Sequence, residues 1–218
     1  GIRDQPRSRG LGDVYKRQEY SCMSLKHQMN DLRKQKLELE KLRPWDSSVD
    51  IDGKKPLKPF INADELIDGC SRIFHLMSKE LGDFFDLLKE NDCLDLESRK
   101  GKAPGGYQYY LQKSRMPFIF MNAAGTQRNL ETMIHEAGHA FHSFYSGHLD
   151  LINERDSPIE FAEVASMSME LLTHPYWEEF YEKEDAERAR IKHLKGIIQF
   201  LSLIHISEPT RPRLISYA

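Results

Sequence analysis

The segment Met133–His142, "MIHEAGHAFH", constrains this chain more than any other. His135 and His139 stand four positions apart in an apolar run. On an α-helix that spacing leaves the two side chains about 40° apart around the axis and one turn apart along it. Both imidazoles can then face one point, so the pattern predicts a helix, from about Asn129 to Ser146, that offers two nitrogen ligands to a metal ion.

Glu136 gives this segment a chemical use beyond metal binding. It follows His135 directly and can reach an open position of a bound zinc ion. There it would take a proton from a water whose pKa the metal lowers to about 7, the general-base step of hydrolysis. The small Ala137 and Gly138 would let a second element approach closely. The alternative is a pair of packed histidines that holds no metal.

A catalytic zinc ion needs a third protein ligand and keeps one position for water. His142 lies seven residues from His135, roughly 10 Å along a helix, too far for two Zn–N bonds of about 2 Å. The longer pattern H-E-x-x-H-x-x-G-x-x-H also fails, because position 142 is His and position 145 is Tyr. We therefore expect the third ligand on another helix.

The segment "SPIEFAEVASMSMELL", residues 157–172, offers three glutamates on a predicted helix. Glu160 is expected to form a capping box with Ser157. Glu163 lies in mid-helix among apolar residues, where an unpaired carboxylate would be costly to bury, and it is our predicted third ligand. Glu170 lies on the same face and is a candidate to hold the second ring N–H of a liganding histidine. An exposed charge near the helix end is the alternative for Glu170.

The remaining pattern predicts a mainly α fold with a short β element. A charged amphipathic helix is expected from about Glu19 to Arg43, ended by Pro44, and a second helix is expected to start with a capping box of Asn62 and Glu65 and to break near Gly82. Further helices follow His174, with Asp185 as a candidate start.

One short strand is predicted just before the metal helix. The apolar run "MPFIFMN", residues 116–122, follows the Gly-, Pro- and Lys-containing loop "SRKGKAPGGYQYY". As an edge strand it could pair with an extended peptide through backbone groups. A buried strand is an equally favoured interpretation.

The two ends differ from the middle of the chain. Residues 1–18 and 202–218 lack helical or strand periodicity and resemble translated read-through, so they are interpreted as non-native. Genuine flexible tails are the alternative. Residues 19–201 are then expected to be part of a catalytic domain from a longer protein.

Composition excludes several function classes. A net charge of -3 provides no basic stripe for nucleic acid, and no apolar run approaches the ~20 residues that cross a bilayer. The three cysteines, Cys22, Cys70 and Cys93, are far apart and form no C-x-x-C pair. They are expected to be reduced, which favours a cytoplasmic location. The pattern contains no indication of oligomeric state.

Three segments resemble the thimet oligopeptidase superfamily of zinc metallopeptidases, specifically its oligoendopeptidase F branch. They are "RKGKAPGGY" (99–107), "PFIFMNAAGTQRNLETMIHEAGHAFHS" (117–143) and "SPIEFAEVASMSMELL" (157–172), with support from "LRPWD" and "EDAERARIKHLKGIIQFL". The resemblance covers nearly all of residues 19–201. It implies an incomplete zincin-type helical catalytic core.

The resemblance also implies a site and an activity. One Zn²⁺ would be held by His135, His139 and Glu163, with Glu136 as general base in the cleavage of oligopeptides. Further candidates on the substrate side or around the ligands are Glu170, His142 and Tyr107. A downstream histidine and tyrosines of the family have no matching motif here, so weak or no activity is expected from this chain alone.

Two other functions stay open at this level. One is a metal-binding helical fragment without turnover, which would not require Glu136 and would usually have a fourth Cys or His ligand. The other is zinc-dependent hydrolysis of a different bond, as in a carboxypeptidase or deaminase. The deaminase is disfavoured, because the chain has no P-C-x-x-C segment.

Overall fold

The computed structural model describes residues 27–50 and 53–207. Residues Leu57–Arg190 form one compact unit, and the other described residues belong to a second. In the second unit, helix α1 covers residues 27–37 and ends at Glu38, whose φ of 53° lies in the left-handed region. The helix therefore stops before Pro44, which instead begins a 3₁₀ turn, Pro44–Ser48. Residues 19–26 of the predicted helix lie outside the described residues.

Two antiparallel helices open the larger unit: α2, Ala63–Met77, and α3, Lys79–Glu90. Asn62 caps α2 as predicted by accepting from the Glu65 backbone N–H at 2.9 Å, but the Glu65 carboxylate accepts from Ile61 N–H rather than completing the box. The chain breaks at Ser78, in extended backbone, and not at Gly82. Gly82 serves a close approach, because a Cβ there would lie 2.2 Å from the His75 ring.

A three-stranded sheet follows, in the order β1-β3-β2. Strand β1, Leu94–Glu97, runs parallel to β3, Met116–Ala123, and β2, Tyr107–Leu111, runs antiparallel to β3. The predicted strand is thus the central one, and its interpretation as an edge strand was wrong. The four-residue β1, too short to give a clear alternation, covers the edge that the sequence left open.

Three helices complete the path around the site: α4, Gln127–Ser146, the one-turn α5, Ile152–Arg155, and α6, Ile159–Leu172. Thr126 caps α4 through a reciprocal box with Asn129, and the helix ends at Ser146 as predicted. The box expected at the start of α6 does not form. Pro158 is the residue before α6, and no side chain caps the helix. Ser157 Oγ is buried and has no hydrogen-bond partner in the described part of the chain.

Helix α7 runs from Lys183 to Ser207 after a 3₁₀ turn, His174–Glu179. It begins two residues before the predicted start at Asp185, and its backbone continues through residues 202–207, which the sequence assigned to the non-native end. That assignment stays a prediction. Within the described part of the chain, no helix is long and apolar enough to span a membrane.

The core of the larger unit is built around α4. The fully buried side chains on this helix include Leu130, Met133 and Ile134, and Phe141 packs edge-on to Phe74 at 4.8 Å between ring centroids. Such burial on one face holds α4 against the sheet and its neighbouring helices. The buried Cys70 and Cys93 are free thiols, whereas Cys22 lies outside the described residues. The mainly α class with a short β element is confirmed.

Candidate metal centre

The centre forms where α4 crosses α6. A Cβ on Gly138 would lie 2.6 Å from Ser166 Cα and 3.0 Å from the Ala165 carbonyl oxygen. Ser166 is fully buried in this contact. The structure therefore confirms that a small residue in the metal segment lets another element approach, and that element is the backbone of α6.

Three predicted residues meet at this crossing. His135 Nε2 lies 3.4 Å from Glu163 Oε2, and His139 Nε2 lies 3.8 Å from Glu163 Oε1. One ligand atom from each of the three residues lies within 4.8 Å of the others. A tetrahedral zinc ion with bonds of about 2.0–2.1 Å separates its ligand atoms by roughly 3.3 Å. The donor set and the spacing therefore fit a zinc ion with small adjustments.

Glu163 is selected by its place on α6 rather than by burial. Its side chain is 42% exposed, so the cost of burying a lone carboxylate was not the right reason for choosing it. What distinguishes it from Glu160 is that it faces the two imidazoles across the helix crossing. Ser166 supports it, with Oγ 3.2 Å from Glu163 Oε2 and 3.0 Å from the Glu163 carbonyl oxygen.

Each histidine has a partner behind it. His135 Nδ1 lies 2.6 Å from Glu170 Oε1, and the Glu170 side chain is only 13% exposed, so Glu170 is not the solvated charge considered as the alternative. His139 bonds to the Ala162 backbone, where the carbonyl accepts from a ring N–H. Such partners fix the ring orientation and leave the other nitrogen free to bind a metal.

The buried Glu136 lies beside this cluster with little exposure to solvent. Its carboxylate accepts a hydrogen bond from the Gln108 backbone at the start of β2. Burial raises the pKa of Glu136 above its ordinary value, and the nearby Glu163 and Glu170 act in the same direction, although His135 and the Gln108 bond oppose them. Loss of hydration favours the neutral acid, which makes the carboxylate a stronger base when it is ionised.

The two imidazoles have different proton affinities. Burial opposes the charged form of His135, but its hydrogen bond to Glu170 and the other carboxylates raise the pKa of His135 above the ordinary value. Burial and the neighbouring His135 lower the pKa of His139. The rings lie edge to face, with centroids 4.9 Å apart.

A cleft of about 400 Å³ opens beside His135 and Glu136. One wall is the Gly105–Gly106 backbone with Met121 and Asn122 of β3, and the other is the N-terminal half of α4. Glu170 also lines it. A cleft of this size beside the candidate metal site can admit a ligand.

Tyr107 and His142 are not brought to the centre. Tyr107 is half exposed and stacks on Phe120 across the β2–β3 pair, with ring centroids 4.9 Å apart. His142 is partly buried on α4, and neither residue is among the described residues that line the cleft.

Sequence reasoning missed three contributors: Ser166, the Gln108 backbone and the Ala162 carbonyl. Ser166 lies three residues after Glu163, a spacing at which helix side chains can touch, and that signal could have identified it. The two backbone contributions depend on strand and helix placement. The side chains of Gln108 and Ala162 give no signal from which these backbone contacts could be predicted.

Comparison with known proteins places the chain in a family. The family model described as Peptidase family M3 matches residues 13–205. Oligopeptidase PepF of Bacillus subtilis (strain 168) is 27% identical over 209 residues, covering 89% of this chain and 31% of its own length. The chromosomal oligoendopeptidase F of Lactococcus lactis subsp. cremoris is 26% identical over 148 residues, with 68% and 24% covered.

Solved structures agree. The structure titled PZ peptidase A with inhibitor 2 has a TM-score of 0.70 and 34% identity, covering 80% of this chain and 31% of that one. The chain thus spans about a quarter to a third of the length of these relatives. Because the family match covers most of its residues and includes the histidine pair and the facing glutamate, the chain belongs to peptidase family M3.

Proposed function

We propose that this catalytic region hydrolyses peptide bonds of oligopeptides with the help of one zinc ion. His135, His139 and Glu163 would hold the ion, and Glu136 would act as general base. The observation that carries the proposal is the gathering of three ligand atoms within 4.8 Å beside a buried glutamate. The names of the relatives, an oligopeptidase and an oligoendopeptidase F, support the substrate class.

Each residue around the candidate site would have a distinct role in hydrolysis. A bound zinc ion would polarise the scissile carbonyl and lower the pKa of a nearby water. Glu136 would accept the proton of the attacking water and pass it to the leaving amine. The Gln108 backbone N–H holds this carboxylate in place. Glu170 and the Ala162 carbonyl keep the two imidazoles oriented with their second nitrogens toward the cluster.

An edge strand supports the choice of a peptide substrate. Among the described residues, strand β2 pairs with β3 on one side only, and its Gln108 backbone reaches Glu136. An extended peptide can add to such an edge through main-chain hydrogen bonds, which accept many sequences. Peptide pairing was predicted for residues 116–122, which form β3. We propose it instead for the neighbouring strand β2.

The alternative is a metal-binding fragment without turnover. A structural zinc site usually has four protein ligands, whereas the cluster found among the described residues has three. A buried Glu136 would also serve no purpose there. These two features favour hydrolysis, and hydrolysis of a bond other than an internal peptide bond is the next candidate.

Weak turnover and a cytoplasmic location belong to the same proposal. The resemblance implies a downstream histidine and tyrosines, for which the chain has no motif, and each missing oxyanion donor would cost about 3–4 kcal/mol of transition-state stabilisation.

The two buried free thiols support a reducing compartment. We propose oligopeptides as partners, and neither nucleic acid nor membrane.

The test measures zinc and hydrolysis separately. Elemental analysis of the purified chain should give one equivalent of zinc. Glu163→Ala should lose most of this zinc, whereas the matched Glu160→Ala on the same helix should keep it. Quenched-fluorescent oligopeptides should be cleaved, however slowly, and Glu136→Gln should abolish cleavage while zinc stays bound. Cleavage that survives in Glu136→Gln would refute the general-base role. Zinc binding equal in all three chains would refute the ligand set.

A further inference from the structure

Lys102, outside the metal centre, is a lysine whose side chain is buried. Its side chain is 1% exposed. The ammonium Nζ lies within hydrogen-bond distance of three backbone carbonyl oxygens, those of Asp95 at 2.9 Å, Glu97 at 2.8 Å and Met121 at 2.6 Å. It also contacts Asp95 Oδ1 at 3.0 Å. A lysine is rarely buried this fully, so its set of partners calls for a reason.

The sheet explains why an ammonium group fits there. The pairing of β1 with β3 shifts register between Asp95 and Glu97. Such an irregularity disrupts the hydrogen-bond ladder locally. The ammonium group of Lys102 donates to backbone carbonyl oxygens of β1 and β3 beside this point, and Asp95 supplies a compensating charge. The lysine therefore ties the loop that carries it to both β1 and β3.

A second anchor holds the same loop further along. The Asn122 side-chain amide of β3 donates to the carbonyl oxygens of Ala103 at 2.8 Å and Gly105 at 3.2 Å. The Asn129 amide of α4 in turn donates to the Asn122 carbonyl oxygen at 3.1 Å. Residues 102–105 are thus fixed at three points, and the last link reaches the metal helix.

The anchored backbone lies directly over the metal helix. A Cβ on Gly106 would lie 2.8 Å from Thr132 Cγ2, and Gly105 has a φ of 105° that disfavours other residues. Both glycines line the cleft beside His135. Two residues later the chain reaches Gln108, whose backbone N–H bonds Glu136. The loop position therefore determines one cleft wall and one contact of the proposed base.

We propose that Lys102 is a positioning residue for peptide binding: from within the sheet it holds the Gly105–Gly106 wall and the start of β2 in the geometry that a substrate meets. The proposal deepens the proposed function and rests on it. Lys102 is not among the described residues that line the cleft, because its ammonium group faces the β1–β3 pair. Asn122 performs the same task from the β3 side.

The experiment uses the whole chain, loaded with zinc. Lys102→Met removes the charge but keeps a long side chain, Lys102→Arg keeps the charge with a different shape, and Lys100→Met is the matched control on the exposed part of the loop. Asn122→Ala loosens the loop without removing the buried charge, and it provides the test if Lys102→Met fails to fold. Circular dichroism and zinc content establish that each variant is folded and loaded.

Two readouts report on the wall itself. The first is the Kd of a fluorescein-labelled oligopeptide of mixed sequence, measured by anisotropy in a Glu136→Gln background that prevents turnover. The second is the rate at which trypsin cuts after Arg99. Lys102→Met and Asn122→Ala should weaken peptide binding about tenfold and speed the cut, with Lys102→Arg in between. Lys100→Met should leave peptide binding unchanged. Zinc content should stay at the wild-type level.

The outcomes separate the inference from the proposed function. Folded Lys102→Met and Asn122→Ala chains that bind the peptide with wild-type affinity would overturn the positioning role, even if their melting temperatures fall. An unchanged rate of cutting after Arg99 would overturn it as well. Wild-type chain that binds no peptide would also overturn it, and if that chain still cleaves quenched-fluorescent oligopeptides in a Glu136-dependent manner, the proposed function survives alone.

Discussion

Replacing Gly138 with Ala should separate the two helices of the metal centre. The added Cβ would lie 2.6 Å from Ser166 Cα, 3.0 Å from the Ala165 carbonyl oxygen and 3.1 Å from Met169 Cβ. Two of these three contacts are with the α6 backbone, which has no side-chain rotamer with which to avoid the new methyl group. The helices must therefore move apart, since packed interiors hold no spare volume.

The size of the movement follows from the contact distances. Ordinary van der Waals contact for a Cβ begins at 3.4 Å, so α6 must retreat by roughly 0.8 Å from α4. The separations of 3.4 and 3.8 Å that join the histidine nitrogens to Glu163 would widen by a similar amount. Zinc sites tolerate about 0.2 Å in their bond lengths. We therefore expect zinc affinity to fall about tenfold or more.

The free energy of unfolding of the zinc-free chain should fall by about 0–2 kcal/mol. Overpacking costs about 1–3 kcal/mol, and the gain of Ala over Gly inside a helix returns about 1 kcal/mol. The assay is a zinc titration against a chromophoric chelator, with thermal unfolding of the zinc-free chain measured in parallel. Gly196→Ala is the matched control. Gly196 lies inside α7, and no atom of the described residues lies within 4 Å of an added Cβ, so the change should leave zinc affinity unaltered.

One result would refute this reasoning. If Gly138→Ala bound zinc as tightly as the unchanged protein, the close crossing of α4 and α6 would not be what holds Glu163 opposite the histidine pair. A loss of affinity that also appeared in Gly196→Ala would show that the effect is not local to the crossing.

Three further changes test other parts of the structure. Glu170→Ala removes the partner of His135 and should lower zinc affinity about 10- to 100-fold, and an unchanged chelator titration would contradict that role. Arg99 holds the pKa of Asp95 at about 2, below the unfolded value of about 3.9. Asp95 should therefore stabilise the fold above pH ~4 and lose that contribution as pH falls from ~4 to ~2. Asp95→Asn should reduce the free energy of unfolding, measured with urea, at pH 7 and not at pH 2. Trp177→Ala empties a fully buried site and should cost about 3–5 kcal/mol, and a melting temperature within a degree or so of the original would refute it.

Local patterns predicted the parts of this protein that depend on neighbours along the chain. The four-residue spacing of His135 and His139 has one consequence on a helix, so the shared direction of their side chains could be inferred without a fold. The Asn62 cap was identifiable for the same reason, because its partner lies three residues away. Glu163 was predicted as a ligand both from its mid-helix position and from the family resemblance. The first argument assumed a buried carboxylate, and the exposure of the Glu163 side chain does not support that assumption.

The errors fall where partners distant in sequence decide the outcome. The apolar run before α4 was predicted as a strand, but whether it lay at an edge depended on β1, four residues that only pair in the folded sheet. The expected box at Ser157 fits the local rule, yet the chain enters α6 from Pro158, and the buried hydroxyl finds no partner among the described residues.

The helix that carries the histidine pair, the candidate base and the mainly helical class could be predicted from the sequence, since periodicity and residue chemistry are local properties. Long-range packing, in contrast, brings α6 close to α4 at Gly138, brings the Gln108 backbone to Glu136, and places Lys102 among sheet carbonyls. These contacts join segments from about 20 to 30 residues apart. No periodicity encodes a distance of that kind, because it is set by how whole helices and strands pack to bury their apolar faces.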